Sequence, residues 1–224
     1  MRMRKKKNLE SRMQNVSEYV ILHENTNRFR LPESERYAFL DLNKIFNNNN
    51  PLYLEIGCGK GTFITEMAKR NPNCNYIGVE ILANVIVMAG EMAKSKNLEN
   101  VKFFNMGAEL LQYFLKENTV SGIYLNFSCP YPKKQYENHR LTYKYFLDIY
   151  KKLMVDGARI YLKTDNVGFF DYSINSLTEN GFTLENVTRD LYSTPFISQN
   201  IATEYETKFV AQGIKINRLE CYLK

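Results

Sequence analysis

The stretch LYLEIGCGKGTFITEMAKR (Leu52–Arg70) reads as a short apolar strand, a glycine loop and a helix that begins near Thr62. Gly57, Gly59 and Gly61 let the backbone turn tightly and come close to a ligand. Their spacing fails one phosphate-binding loop and fits a second weakly. A Walker loop needs G-x-x-x-x-G-K-[ST], which GCGKGT does not supply. A dinucleotide fingerprint needs G-x-G-x-x-G, and here the third glycine comes one residue early. A G-x-G-x-G loop remains, suited to a ligand without a diphosphate.

S-adenosylmethionine is such a ligand, carrying a nucleoside and a methionine moiety but no phosphate. It also calls for a carboxylate after the second strand, to accept from the ribose hydroxyls. YIGVE (Tyr76–Glu80) places Glu80 there, about 20 residues past the glycines, the spacing expected of such a partner. Glu55, just before the loop, can face the ammonium or sulfonium side. The third strand ends in NMGAE (Asn105–Glu109), which offers Asn105 and the backbone near Gly107 beside an adenine, with Glu109 slightly beyond. Gly107 reads equally well as a plain helix-start residue.

Outward from this stretch, strands and helices alternate. The strands are LYLEIG, NYIGVEI, VKFFNM, SGIYLNF and ARIYLKTD, with FTLENVTRDL and KINRLECYL closing the chain. The helices are GTFITEMAKRN, LANVIVMAGEMAKSKN, AELLQYFLKEN, a long one ending at Gly157 and another ending at Gly181. Serial βα units predict a doubly wound, mostly parallel seven-stranded α/β sheet with helices on both faces, Rossmann-like in kind. Upstream, Tyr37, Leu40 and Ile45 space as one helical face over residues 34–46.

At 224 residues, one domain is the expectation: a basic arm over residues 1–20, then a single domain over 21–224. The net charge of +6 and the arm MRMRKKK fit a polyanionic partner, though a solvated tail reads the same way. No apolar segment follows the charged start, so the arm does not read as a signal peptide, and no run reaches membrane-spanning length. Cys58, Cys74, Cys129 and Cys221 form no CxxC pair, which predicts no metal site and a reduced, cytoplasmic protein.

Four motifs then specify a substrate class. YLNFSCPYPKKQYENHRLTYKYFL (Tyr124–Leu147), LEIGCGKG…YIGVE, LKTDN (Leu162–Asn166) and TEYETKF (Thr203–Phe209) resemble, in order and spacing, the tRNA (guanine-N7-)-methyltransferase family. The opening MRMRKKK is similar too. The resemblance implies a class I, S-adenosylmethionine-dependent enzyme that methylates N7 of a guanine in the tRNA variable loop. It implies cofactor contacts at Glu55 and Glu80, and substrate contacts at Lys133, Asp165 and Thr203, Glu204, Tyr205 and Glu206. It assigns RNA to Gln135, Tyr136, Glu137, Asn138, His139 and Arg140. The implied partner is tRNA, with the chain a monomer or homodimer.

The chain departs from the family pattern in three places. Cys129-Pro130-Tyr131-Pro132 stands where the family has Asp-Pro-Trp-Pro, the RNA stretch holds one arginine, and Gly107 takes the place of an acidic residue. Guanine N7 already carries a free lone pair, so no general base is required. Asp165 and Glu206 are the catalytic candidates, through their negative field on the purine cation. Cys129 is either a nucleophile or a small packing residue beside the cofactor, and N7 methylation needs no covalent adduct. Tyr131 either stacks on a base or packs beneath its loop. In a loop or short turn, Glu206 would accept from the guanine N1 and N2 edge. Two alternatives stand: an exocyclic-amine methyltransferase, since SCPY approaches [DNS]-P-P-[YF], and a tRNA-binding subunit with weakened catalysis.

Overall fold

The computed structural model describes residues 8–24 and 28–223. The chain divides into two compact units, residues 1–116 and 117–224. Residues 1–7 of the basic arm lie outside the described residues.

In the first unit, helix α1 (Leu9–Asn15) leads into strand β1 (Val20–His23). Short helices α2 (Glu33–Arg36) and α3 (Leu42–Phe46) precede β2 (Leu52–Ile56), α4 (Thr62–Arg70), β3 (Asn75–Val79), α5 (Ala83–Ser95), β4 (Val101–Asn105) and the one-turn α6 (Leu111–Phe114). The strand order is β1-β4-β3-β2, all parallel. Every residue of β3 is buried, the mark of a parallel strand covered on both faces. Helix α5 buries Ile86, Val87, Ala89, Gly90 and Ala93, one face at helical spacing. Gly90 is there because a Cβ would come within 2.9 Å of Val20 and 3.0 Å of Val16. Within the stretch read as an arm, α1 buries Leu9, and Arg12 grips Glu91 of α5 in a fork with bonds of 2.7 and 2.6 Å.

The second unit holds β5 (Val120–Asn126), α7 (Lys144–Leu153), β6 (Met154–Thr164), α8 (Val167–Glu179), β7 (Phe182–Thr188), α9 (Glu204–Val210) and β8 (Asn217–Leu223). Strands β5 and β6 are parallel, and β8 runs antiparallel between β6 and β7. The Asn166 side chain caps α8 by accepting from the Phe169 amide at 2.8 Å. Thr142 ties the entry of α7 to α8 by two buried bonds, its hydroxyl to the Ser173 hydroxyl at 2.9 Å and its carbonyl accepting from the Ser176 hydroxyl at 2.6 Å.

The described residues hold eight strands, whose pairings within the two units are mostly parallel, where the sequence reading gave seven. The addition is β1, which pairs Val20 with Phe103 and His23 with Asn105. The helix expected over residues 34–46 is also corrected. Tyr37–Leu40 run extended, because the Ala38 and Leu40 amides donate to the carbonyls of Tyr113 and Phe114 at 2.8 and 2.9 Å. The same bonds shorten the predicted third helix to a 3-10 turn (Ala108–Leu110) and α6, since those carbonyls serve a neighbouring segment. The long helix stops at Leu153 instead of Gly157, and β6 starts at the next residue.

Candidate active site

The glycine loop joins β2 to α4. Gly57, Gly59 and Gly61 have φ of 78°, 57° and 80°, the left-handed region that glycine adopts without strain. The three do different work. A Cβ on Gly57 or Gly59 would meet nothing within 4 Å, so both border open space. A Cβ on Gly61 would stand 2.7 Å from the Ala89 Cβ, so that glycine packs α4 against α5. The Gly57 and Cys58 amides donate to the Val79 carbonyl at 2.8 and 3.1 Å, which pins the loop to the end of β3.

Glu80 follows directly after β3. Its carboxylate accepts from the Gly59 amide at 3.3 Å and the Leu82 amide at 2.9 Å. Burial pushes its carboxyl above the usual range, and these amides pull the other way. Asn105, 4% exposed, donates to the carbonyls of Glu80 and Ile81 at 2.8 and 3.1 Å. Its side chain therefore braces the acidic turn. Glu55 is buried on β2. At Gly107, the Glu109 carboxylate stands where a side chain at that position would begin. Sequence spacing marks Glu109 as slightly beyond the strand end, and the structure folds it back over that end.

In the second unit, the loop after β5 opens with the Phe127 amide donating to the Lys163 carbonyl at 2.8 Å. Phe127 and Tyr131 have φ of 52° and 40°, which costs free energy in residues with a Cβ and marks a constrained loop. Arg140 holds that loop. Its guanidinium donates to the Pro130 carbonyl at 3.1 Å and the Tyr131 carbonyl at 2.9 Å, and lies 4.1 Å over the Tyr172 ring. The arginine assigned to RNA thus has a structural task. Tyr131 lies beside His139, with ring centroids 5.4 Å apart. Lys133, Lys134, Gln135, Tyr136, Asn138 and His139 are exposed, and Glu137 is half-buried. The Ser128 hydroxyl is buried and has no hydrogen-bond partner among the described residues, a condition that a ligand or water relieves. Asp165 is half-buried just past the end of β6.

The TEYE segment differs from the loop or short turn expected of it. Thr203 caps α9 by accepting from the Glu206 amide at 3.0 Å, and Glu204 to Glu206 form the first turn. Glu204 and Tyr205 are exposed, whereas Glu206 is fully buried. Its carboxylate meets Lys163 Nζ at 2.7 Å, Asn200 Nδ2 at 2.5 Å and the Tyr192 hydroxyl at 3.2 Å. Beside that carboxylate, burial first and then the negative charge push the Tyr192 hydroxyl up to about 12. Sequence reasoning missed Lys163, Asn200 and Tyr192. A lysine in an otherwise apolar strand, IYLKT, was the one local signal.

The cysteines separate by environment. Cys129 is exposed, while Cys58 and Cys221 are buried. Burial raises the Cys58 thiol well above its ordinary value, with Glu55 and Glu80 adding to the effect. Burial likewise pushes Cys221 up to about 12. Iodoacetamide at neutral pH is expected to label Cys129 in the native protein and spare Cys58 and Cys221, because thiolate is the reactive form. Peptide mass spectrometry reads the pattern. Among the described residues there is no cluster of His, Cys, Asp or Glu able to hold a metal ion, and no helix is long and apolar enough to cross a membrane.

A glycine loop bordering open space, a carboxylate closing the next strand and a mostly parallel sheet define a class I, S-adenosylmethionine-dependent methyltransferase. A family described as "Putative methyltransferase" matches residues 49–219. The tRNA (guanine-N(7)-)-methyltransferase of Streptococcus thermophilus (strain CNRZ 1066) is 41% identical over 224 residues, covering 100% of both chains. That of Geobacillus sp. (strain WCH70) is 47% identical over 178 residues, 80% of each chain. Among solved structures, the 16S rRNA methyltransferase KamB superposes with a TM-score of 0.64, covering 84% of this chain and 95% of that one. At 14% identity that likeness speaks to the fold alone. The chain belongs to the tRNA (guanine-N7-)-methyltransferase family.

Proposed function

We propose that the chain transfers the methyl group of S-adenosylmethionine to N7 of a guanine in the variable loop of tRNA. The observation that carries this reading is end-to-end relatedness to a tRNA (guanine-N(7)-)-methyltransferase, at 41% identity over 224 residues. The site residues fit the donor. Gly57 and Gly59 leave room for close approach of a ligand to the backbone. Glu80 accepts from the ribose hydroxyls, Glu55 faces the cationic side of the methionine moiety, and Asn105 keeps the Glu80 turn in place. Glu109, lying over Gly107, supplies the acidic group beside the adenine. When bound, the donor contributes a methyl group activated on a sulfonium.

The chain's own residues do the rest. N7 needs no deprotonation, so placement in line with the methyl and sulfur is the main demand, and it can supply roughly 7–11 kcal/mol of the barrier. Lys133 contacts RNA phosphate, and residues 134–139 extend that exposed surface. Arg140 acts indirectly, by holding the Pro130–Tyr131 backbone on which the neighbouring lysine is carried. Asp165 supplies a negative field for the charge that develops on the purine. Cys129 is a neighbour of this chemistry and forms no adduct. Action on tRNA places the protein in the cytoplasm.

Donor binding has a predictable pH dependence. The ribose hydroxyls favour ionised Glu80, and burial raises its folded value. Affinity is therefore expected to fall as pH drops through that raised value, above the ordinary glutamate value of about 4.3. The sign reverses for the donor-free fold, whose stability falls as pH rises through the same value. Calorimetry across pH is expected to show the acid limb in wild type and lose it, with weaker binding throughout, in Glu80→Gln.

The deciding experiment is transfer from labelled S-adenosylmethionine to unmodified tRNA, with nucleosides identified by mass spectrometry. 7-Methylguanosine confined to the variable loop is expected. A methylated exocyclic amine, or no transfer while both ligands bind, overturns the reading.

A further inference from the structure

We propose that Glu206 and Lys163 are a positioning pair that sets the 200–206 segment against the end of β6, and that Glu206 does not itself read the guanine. This rests on the guanine-N7 transfer proposed above. A residue that reads the N1 and N2 edge must offer a carboxylate oxygen to a ligand. Glu206 is 0% exposed, and both of its oxygens are occupied by Lys163, Asn200 and Tyr192. Lys163 is equally committed. An ammonium has three protons, and Nζ meets Glu206 at 2.7 Å, Asn200 Oδ1 at 2.9 Å and the Ile201 carbonyl at 2.9 Å.

The location of Lys163 explains what such a pair is for. Its main-chain carbonyl receives the Phe127 amide, where the Ser128–Pro132 loop begins. Its side chain holds Asn200 and Ile201, just before Thr203 and the exposed Tyr205, which is 63% exposed. Asp165 follows two residues later on the same strand end. One lysine thus ties together the three chain pieces that the family resemblance assigns to substrate. A buried ion pair is seldom a net source of stability, so its presence here calls for another role, and fixing the register of these pieces supplies one. Reading of the base falls to groups that remain accessible.

The test compares full-length variants on tRNA carrying guanosine or inosine at the target position, since inosine lacks the N2 amino group. Displacement of positioned groups by about 1 Å costs roughly 100-fold. Glu206→Gln is therefore expected to lower kcat/KM on guanosine by that order, with donor affinity unchanged and the guanosine-to-inosine preference kept within about twofold of wild type. Lys163→Met should show the same loss, and the two losses should not multiply when combined, because the residues act as one unit. Lys163→Arg, which keeps the charge, should recover most of the activity.

Should a single variant fail to fold, Lys163→Met/Glu206→Met carries the test, since it removes both charges and strands neither. A guanosine-to-inosine preference kept within about twofold of wild type in this double variant supports positioning, whereas its collapse supports direct reading. Collapse of the guanosine preference in Glu206→Gln, or full activity in Lys163→Met, overturns the proposal. Absence of 7-methylguanosine with the wild-type chain would instead overturn the function on which it rests.

Discussion

Asp165→Asn is expected to slow methyl transfer by about 10²–10³-fold, the scale on which loss of one preorganised electrostatic contact is felt. The substitution removes a charge and keeps the shape. Asp165 is half-buried between Thr164 and the Asn166 cap of α8, so its position is set by the strand and helix on either side. Donor affinity and tRNA affinity should hold, because the charge matters only as N7 becomes cationic. Single-turnover transfer at saturating donor and tRNA isolates that step. An unchanged rate constant would deny Asp165 the electrostatic role, and a loss confined to KM would make it a binding residue instead.

Gly61→Ala is expected to destabilise the chain by about 2–5 kcal/mol, combining a left-handed backbone cost of about 1–2 with overpacking of about 1–3. The φ of 80° supplies the first contribution, and the 2.7 Å approach to Ala89 the second. Gly59→Ala shares only the backbone cost, because a Cβ there meets nothing within 4 Å. Its larger effect should fall on donor affinity. Chemical denaturation and donor calorimetry on the two variants separate these roles. Equal stability losses in both would mean that the α4–α5 contact relaxes without cost.

The sequence made the alternating strands and helices legible because parallel strands buried on both faces are written as apolar runs, as in NYIGV. The glycine loop and Glu80 were legible because both lie at strand ends with a fixed spacing. Tyr37–Leu40 were misread for a physical reason. Helical spacing of apolar residues says nothing about hydrogen bonds offered from Tyr113 and Phe114, far along the chain. Strand β1 escaped because VILH is too short to show a period. The Lys163–Glu206 pair was illegible for the deepest reason. Each residue looks ordinary in its own segment, and only folding places a lysine of β6 beside a glutamate of α9. The triple glycine motif, read as one device, proved to be two.

Strand β8 follows β7 in sequence, yet it lies between β6 and β7. A ribosome therefore delivers β7 well before the strand that bridges it to β6. At about 5–20 residues per second, residues 182–188 wait on the order of seconds for residues 217–223. A premature stop ahead of Asn217 would leave β6 and β7 with unpaired edges, the form that invites aggregation. The order of synthesis thus sets the order of closure in this part of the chain, with β7 held open until β8 has been made.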